Sequence, residues 1–269
     1  MIKEKEKILR RRLQELSPVA VAFSGGVDST YLLHVAVDEL GVENVLALTA
    51  VSPVYPRQEL ASCRNLAKAM GVDLLEIQAD VLQNPGFVSN DRERCYTCKL
   101  DLFGTFVTVA KKHGFSSLLD GTNKDDLGDF RPGHRALDEL QIHSPLLEAE
   151  FIKDDIRQLS LEAGLSTWNK QPFACLATRF PYGTKITSER LEQVGSCEEM
   201  LFNLGLSNYR VRYHDNIARI EVAQDEMTMF LDPVLRQKVS EHFHASGFEF
   251  VTIDLDGYRT GSMNGPDDQ

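Results

Sequence analysis

The stretch that decides the fold is PVAVAFSGGVDST, residues 18–30. Its first six residues form a compact apolar run. The polar string SGGVDST follows directly, and apolar residues at helical spacing begin at residue 31. This order predicts a βα unit in which two glycines lie at the carboxyl end of a buried strand.

The glycine loop, residues 24–30, has the chemistry of a phosphate site. Adjacent glycines permit backbone angles and close approaches that a Cβ would block. Amides at the start of the next helix face outward, where the helix dipole favours an anion. Hydroxyl groups add donors, and Asp28 can hold a Mg²⁺ ion that bridges phosphate oxygens. A plain βα turn needs only the glycines, so the whole string favours a nucleotide site that comprises Ser24, Gly25, Gly26, Val27, Asp28, Ser29 and Thr30.

Strands and helices alternate along the next hundred residues. The pattern predicts strands at 45–51, 72–79 and 116–123 and a helix at 56–70. Alternation of this kind is typical of parallel βαβ units, which wind into an open sheet with helices on both faces. We therefore expect an α/β fold with a doubly wound parallel sheet. An amphipathic helix precedes it, with Ile8, Leu13 and Leu16 on one side, and residues 80–97 are expected to form a loop.

A second polar loop, GTNKDDLGDFRPGHRA at residues 121–136, begins within the segment 116–123, where the fourth strand is expected to end. Carboxyl ends of parallel strands share one sheet edge, so this loop is expected beside the glycine loop. Its carboxylates can position Mg²⁺ or a ribose, and a guanidinium can grip phosphate or a substrate carboxylate. A solvated acidic loop is the alternative. The candidate residues are Gly121, Thr122, Asn123, Asp125, Asp126, Asp129 and Arg131.

The pattern changes beyond residue 187. Two helices and three strands of a small α+β domain are expected there. We therefore predict a first domain at 1–186 and a smaller C-terminal domain at 187–269.

The five cysteines are Cys63, Cys95, Cys98, Cys175 and Cys197. Cys95-x-x-Cys98 is expected in the loop before a helix, and Cys175 lies in PFACLATRFPYG. Three thiolates suit an iron–sulfur cluster with one iron left open. Zinc with a histidine, a redox disulfide between Cys95 and Cys98, and unliganded thiols with Cys175 alone reactive remain alternatives. The histidines considered for zinc are His113, His134 and His143, and the two other cysteines are expected in helices as buried residues.

Charge excludes some partners. The chain carries 40 acidic and 29 basic residues, a formal net charge of −11. An acidic surface repels nucleic-acid phosphates. The start, MIKEKEKILRRRLQEL, lacks the apolar segment of a secretory signal, and no apolar run reaches bilayer length. We expect a cytoplasmic protein that binds neither nucleic acid nor membrane.

Several motifs occur in one order: SGGVDST, RCYTCK, DGTNKDDLGDFRPG, PFACLATRFPYG, YRVRYH and DLDGYRTGSMN. The first resembles the PP-loop of the N-type ATP pyrophosphatases, whose fold is of the adenine nucleotide alpha-hydrolase type. Together the motifs, which span residues 24–264, resemble the LarE family. Those are ATP-dependent sulfur transferases of nickel-pincer nucleotide biosynthesis, which serves lactate racemase maturation.

The resemblance implies a specific reaction. ATP adenylates a carboxylate of pyridinium-3,5-biscarboxylic acid mononucleotide, pyrophosphate leaves, and sulfur displaces AMP to give a thiocarboxylate. One branch of the family sacrifices the sulfur of one cysteine, and Cys175 matches it. A second branch with three cysteines carries sulfide on a [4Fe-4S] cluster, which Cys95, Cys98 and Cys175 match. The resemblance also implies that Arg210 and Arg212 hold a substrate phosphate, that Glu221 lies near the sulfur centre, and that the protein forms homo-oligomers supplied by a sulfide source.

Three other functions compete with this interpretation. A tRNA thiolation enzyme shares the PP-loop and the cysteine pattern but needs a basic surface. An ammonia-using amide synthetase has no use for clustered cysteines. A nucleotide-sensing module would release no pyrophosphate.

Overall fold

The chain divides into two compact units. The computed structural model describes residues 2–128, 133–171, 174–259 and 263. The first unit comprises Met1–Val81 and Glu93–Phe173, and the second comprises Leu82–Arg92 and Ala174–Gln269. The sequence placed a boundary after residue 186, whereas residues 174–186 here group with the second unit. Backbone bonds explain the grouping, because Ile186 N donates to Val88 O at 3.0 Å and Gly183 N donates to Asn90 O at 2.9 Å.

A parallel sheet of four strands forms the centre of the first unit. Its strands are β1 (Val19–Ala22), β2 (Val45–Val51), β3 (Asp73–Gln78) and β4 (Ser117–Leu119). The spatial order is β3-β2-β1-β4, and all the pairs are parallel. The winding direction therefore reverses between β1 and β4, where Val21 pairs with Leu119. In open α/β sheets this switch point is where ligands bind, outside the carboxyl ends of the strands.

Helices surround this sheet. They are α1 (Ile2–Leu16), α2 (Val27–Leu40), α3 (Arg57–Met70), α5 (Arg94–Lys112), α6 (Gly133–Glu139), α7 (Pro145–Glu148) and α8 (Lys153–Glu162), and α4 (Pro85–Val88) belongs to the second unit. Gly71 ends α3 in the left-handed conformation at φ 71°, which glycine adopts without strain.

Both faces of the sheet carry a core. Val19 and Val21 pack with residues of α1, α2 and α8 in one cluster. Ala20, which points to the other face, packs with Phe103 and Phe106 of α5 in a second cluster. The doubly wound α/β fold expected from the sequence is thereby confirmed.

The N-terminal helix differs from its prediction in one residue. Leu9, Leu13 and Leu16 form its buried face. Ile8, which the sequence assigned to that face, is 40% exposed. Residues at i, i+4 and i+7 share a helix face, so Leu9 fits the pattern of Leu13 and Leu16 and Ile8 does not.

The expected loop at 80–97 is also partly wrong. Residues Val81–Gln83 form a 3-10 turn and Pro85–Val88 form α4, whose cap is the side chain of Asn84 accepting from Gly86 N at 2.9 Å. Helix α5 begins at Arg94, earlier than expected. The Cys95-x-x-Cys98 pair therefore lies on the helix rather than before it.

The second unit contains a smaller mixed sheet. Its strands are β5 (Tyr209–His214), β6 (Ile217–Val222) and β7 (Phe250–Ile253), with β5 and β6 antiparallel and β6 and β7 parallel. Helices α9 (Ser188–Asn203) and α10 (Pro233–Ala245) accompany it. Thr187 caps α9 by accepting from Arg190 N at 3.3 Å, and Asp232 caps α10 by accepting from Val234 N at 2.8 Å.

None of the helices in the described part of the chain has the length and apolar character that crossing a membrane requires.

Candidate nucleotide and sulfur-transfer sites

The glycine loop is built as an open cradle at the end of β1. Gly25 has φ +68°, and a Cβ there would lie 2.9 Å from Cys63 Sγ, so only glycine fits without displacement. Ser24 Oγ and Ser29 Oγ are 3.1 Å apart, which ties the two ends of the loop together. Among the described residues no side chain caps α2, whose N-cap is Gly26. The first amides of α2 therefore remain available to an anion.

The second loop meets the first. A Cβ on Gly121 would lie 3.0 Å from Ser29 N and 3.3 Å from Ser29 Cα. Gly121 thus packs directly against the first turn of α2. Thr122 and Ser144 both donate to the buried carboxylate of Asp120, the latter at 2.5 Å, and these bonds hold the end of β4 in place.

Acidic side chains brace the rest of this loop. Asp126 Oδ2 accepts from Asn123 N at 3.0 Å, and Asn123 Oδ1 accepts from Asp125 N at 2.9 Å. Asp125 in turn accepts from Lys153 N at 2.8 Å. Asp125 and Asp126 therefore shape the loop and connect it to the start of α8. Asp129 and Arg131, the other candidates here, lie outside the described residues.

Asp28 is the acidic group of the glycine loop. Its Oδ2 pairs with Lys153 Nζ, while its Oδ1 is buried and has no hydrogen-bond partner among the described residues. Burial raises the pKa of Asp28, and Lys153 opposes that rise. A buried oxygen without a partner is costly unless a ligand satisfies it.

Two lysines at this site were not predicted from the sequence. Lys153 pairs with Asp28, and Lys170 donates to Gly25 O at 3.0 Å and pairs with Glu59 at 2.8 Å. A signal did exist, because the glycine loop contains no cation although a triphosphate attracts several. The identity of the cations near the loop depends on tertiary contacts, and a local sequence pattern does not reveal those contacts.

Cys95 and Cys98 lie one turn apart near the start of α5, in the first unit. Cys95 is exposed and Cys98 is half-buried, and Arg94 Nη2 lies 3.8 Å from Cys95 Sγ. Between them, Tyr96 donates to Glu139 at 2.8 Å, and the Arg135 guanidinium stacks 3.7 Å from the centre of its ring. The segment is thereby fastened to α6.

The remaining thiol predictions have mixed outcomes. Cys63 and Cys197 are buried helix residues, as expected, and burial raises the pKa of both thiols, that of Cys197 to about 12. All five cysteines are described, and none is in a disulfide. Within the described ranges, no group of three or more His, Cys, Asp or Glu side chains is placed to hold a metal ion.

Cys175 lies in the second unit at the start of a 3-10 turn, Leu176–Arg179. Its carbonyl oxygen accepts from Thr178 N at 2.9 Å, from Thr178 Oγ1 at 2.8 Å and from Arg179 Nη1 at 3.4 Å. The main chain of Cys175 is thus held by several bonds, and its side chain is half-buried.

A buried ion pair supports this turn. Arg179 Nε and Nη2 donate to the two oxygens of Glu198 at 2.7 and 2.9 Å, and both side chains are at most 2% exposed. Glu198 Oε1 also accepts from Val211 N at 2.9 Å. Arg179 and Glu198 therefore link α9, β5 and the Cys175 turn.

The arginines of YRVRYH lie inside the second unit rather than on an exposed strand face. Arg210 and Arg212 are 6% and 5% exposed. Arg212 donates to Glu221 at 2.8 Å and to Thr178 O at 3.0 Å. Glu221 also accepts from Arg219 at 3.1 Å. The structure therefore connects Glu221, through Arg212, to the turn that begins at Cys175.

Arg210 has a different environment. It donates to Tyr209 O at 2.6 Å, and its guanidinium lies 4.9 Å from the ring centre of Tyr258. Burial lowers the pKa of Arg210, and the like charges of Arg179 and Arg212 lower it further. Gathered positive charge of this kind favours an anionic ligand.

The class of protein follows from the first unit. A parallel sheet whose first strand ends in SGGVDST, with a second loop packed on it at the switch point, defines a PP-loop domain that uses ATP. Residues 1–85 match the family model described as NAD synthase.

Full-length relatives give the family. A pyridinium-3,5-bisthiocarboxylic acid mononucleotide synthase of Lactiplantibacillus plantarum is 38% identical over 97% of this chain and 94% of its own length. An uncharacterized protein of Synechocystis is 40% identical over 98% of this chain and 98% of its own length. An uncharacterized protein of Methanocaldococcus jannaschii is 31% identical over 90% of this chain and 91% of its own length. The chain belongs to the LarE family of ATP-dependent sulfurtransferases. The family, fold class and enzyme class expected from the sequence are confirmed.

Proposed function

We propose that the protein adenylates a carboxylate of pyridinium-3,5-biscarboxylic acid mononucleotide and converts it to a thiocarboxylate. The L. plantarum relative is named for the bisthiocarboxylic acid, in which both carboxylates carry sulfur, so the proposed reaction would take place once at each carboxylate. The observation that carries the proposal is the packing of Gly121 against Ser29, because it brings together, at the switch point of the sheet, the two loops that we propose to bind ATP.

The first step is proposed to occur on the glycine loop. The open amides of α2 and the hydroxyls of Ser24 and Ser29 bind the β- and γ-phosphates. A substrate carboxylate oxygen attacks the α-phosphorus, the bond from that phosphorus to the bridging oxygen breaks, and pyrophosphate leaves. Lys153 neutralises charge on the phosphates, and the helix dipole acts in the same direction.

Asp28 is proposed to hold Mg²⁺. Its buried Oδ1, which has no partner among the described residues, fits a cation ligand of the oxygen type that Mg²⁺ prefers. When bound, the ion supplies charge neutralisation on the phosphate oxygens. Gly121, Thr122, Asn123 and Asp129 complete the proposed ATP site, and Arg131 is proposed to bind phosphate or carboxylate.

The second step delivers sulfur. An acyl adenylate has AMP as a good leaving group, so a sulfur nucleophile attacks the acyl carbon and the carbon–oxygen bond to AMP breaks. Arg210 and Arg212 are proposed to bind the substrate phosphate, and Glu221 orients Arg212. Water must be excluded, since it would hydrolyse the acyl adenylate.

Cys95, Cys98 and Cys175 are proposed to hold a [4Fe-4S] cluster. The donor set fits in its chemistry, because all three are soft thiol ligands and Cys95 and Cys98 are one helical turn apart with at least part of their surface accessible. The cluster, when bound, would supply an iron site for an exogenous sulfide. Sacrifice of the Cys175 sulfur is the alternative that the test must separate.

The test begins with anaerobic purification, iron and acid-labile sulfide analysis, and an absorption spectrum. About four irons per chain would support the cluster. Pyrophosphate release and the mass of the product are then measured with ATP and the pyridinium substrate. Absence of pyrophosphate release would overturn the adenylation step.

Serine variants separate the two sulfur routes. In the cluster route, Cys95→Ser, Cys98→Ser and Cys175→Ser all lose iron and thiocarboxylate product. In the sacrificial route only Cys175→Ser stops sulfur transfer, and wild-type protein loses the mass of H₂S at Cys175 after turnover. Pyrophosphate release by Cys175→Ser is the internal control, because adenylation does not require the thiol.

Two partners belong to the same proposal. We expect a homo-oligomer and an external sulfide source. Binding of bulk tRNA that is tight and salt-sensitive would instead favour a tRNA thiolation enzyme.

A further inference from the structure

Lys170 makes an unusual contact for a lysine beside a phosphate loop. Its ammonium group donates to the carbonyl oxygen of Gly25 at 3.0 Å and pairs with Glu59 on α3 at 2.8 Å. The side chains of Lys170 and Glu59 are 22% and 15% exposed, so the contact is largely shielded from water. The cation therefore contacts the backbone of the glycine loop directly.

This contact fixes the orientation of one peptide group. The carbonyl of Gly25 and the amide of Gly26 belong to the same trans peptide, so they point in opposite directions. Holding the carbonyl toward Lys170 turns the Gly26 amide to the other side. Gly26 is half-buried, and its amide donates to Ser24 Oγ at 3.4 Å, which is long for a hydrogen bond.

The glycine loop needs such a restraint. Gly25 has φ +68°, and a glycine peptide can rotate between several conformations at little cost. Binding an anion to a mobile loop would require ordering it first, which weakens affinity. A cation on the Gly25 carbonyl removes part of that cost before the anion arrives.

Both the main chain and the ammonium group of Lys170 are held by other residues. Arg157 of α8 donates to Trp168 O at 3.2 Å and to Lys170 O at 3.4 Å. Glu59 holds the ammonium group from α3. Both ends of the lysine are therefore anchored to helices, and its reach to Gly25 is not that of a loose surface side chain.

We propose that Lys170, held by Glu59, is a positioning residue that presets the Gly25–Gly26 peptide so that the Gly26 amide faces the incoming phosphate. The inference rests on the proposed function, in which the glycine loop binds the pyrophosphate part of ATP. It assigns to Lys170 an action through the backbone rather than a contact with the nucleotide.

The test uses Lys170→Met and Glu59→Gln in the full-length protein. Arg64→Met and Glu76→Gln are matched controls, because Arg64 and Glu76 form an exposed ion pair between α3 and β3. Calorimetric titration with inorganic pyrophosphate and with AMP measures binding, and crystal structures without nucleotide show the Gly25 carbonyl.

We expect Lys170→Met to bind pyrophosphate about tenfold more weakly, since a hydrogen bond to a charged group is lost. AMP affinity should change less than about twofold, the controls should match wild type, and Glu59→Gln should show a smaller loss. The nucleotide-free Lys170→Met structure should show the Gly25–Gly26 peptide rotated or in two orientations.

Two results would overturn the inference. Unchanged pyrophosphate affinity in a folded Lys170→Met protein is one. The other is weakened affinity with an unmoved Gly25 carbonyl, because that would mean direct contact with phosphate. If Lys170→Met fails to fold, Lys170→Gln and Glu59→Gln carry the same measurements. Failure of wild-type protein to bind ATP or pyrophosphate would instead overturn the proposed function.

Discussion

The glycine loop and the arginine cluster of the second unit are both suited to anions, but they are built in opposite ways. The loop uses backbone amides and hydroxyls, and its cations, Lys153 and Lys170, already pair with Asp28 and Glu59. The arginine cluster uses buried guanidinium groups whose charge Glu198 and Glu221 balance.

The two regions differ in the kind of charge that they hold and in how that charge is stabilised. At the loop the groups proposed to bind the anion carry partial charges, and the full charges nearby are paired, Lys153 with Asp28 and Lys170 with Glu59. In the arginine cluster full charges are buried, and each depends on its partner because an uncompensated buried ion is strongly destabilising. The first region should therefore be sensitive to shape and the second to charge.

The largest effect is expected for Glu198→Gln. It leaves Arg179 charged in a buried site without its carboxylate, so the free energy of unfolding should fall by about 3 kcal/mol or more. Urea denaturation measures this. Glu76→Gln removes a carboxylate from an exposed pair and should change little. An equal loss of unfolding free energy in the two variants would contradict the expectation that the buried arginine cluster depends on charge.

A shape effect is expected for Gly25→Ala. Alanine at φ +68° is strained and its Cβ meets Cys63 Sγ at 2.9 Å, so about 2–3 kcal/mol should be lost, together with pyrophosphate binding.

Gly164→Ala is the matched control for that variant. Gly164 has φ +69° but nothing within 4 Å of the added Cβ, so it should lose only about 1 kcal/mol and bind pyrophosphate normally. If Gly164→Ala proved as harmful as Gly25→Ala, the tight fit against Cys63 would not matter.

A smaller effect is expected from pH on the second unit. Burial, with the charges of Arg219 and Arg212, lowers the pKa of His214 from 6.5. The unfolded chain then binds more protons than the native one, so stability should fall as pH drops below 6.5 and through the lowered value. His214→Gln should lack this loss between pH 7 and pH 5 in urea denaturation, measured against wild type.

The smallest effect is expected at Asp28, with the opposite sign. Burial raises the pKa of Asp28 above 3.8, so the native state keeps this proton to a higher pH than the unfolded chain does. Stability should therefore fall as the pH rises from 3.8 through the raised pKa. Asp28→Asn should lose less stability than wild type on going from pH 4 to pH 7. It should also bind Mg²⁺-ATP poorly, and normal metal-dependent binding would contradict the proposed role of Asp28.

Local sequence patterns were sufficient to predict much of the secondary structure of the first unit. The strand at 45–51 matches β2 because its apolar run is bounded by polar residues and turns. The meeting of the two loops followed from the adjacency of β1 and β4 at the switch point.

Contacts of individual side chains with distant residues could not be predicted from the sequence. No pattern distinguishes Lys153 and Lys170 from other lysines, because their roles depend on Asp28 and Gly25 more than a hundred residues away. The start of α5 was missed because a charged, cysteine-containing turn resembles a loop in sequence. Burial of Arg210 and Arg212 likewise depends on partners in other elements.

The carbonyl anchoring of Cys175 has a practical consequence. Thr178 and Arg179 donate to the main-chain carbonyl oxygen of Cys175, so these two bonds do not involve its sulfur atom. If turnover removes that sulfur, the exhausted polypeptide keeps the bonds that define its local shape. Spent and fresh molecules would then share these main-chain bonds, and a far-ultraviolet circular dichroism spectrum would not tell them apart. Intact-mass spectrometry, rather than a folding assay, would be the way to count the molecules that can still react.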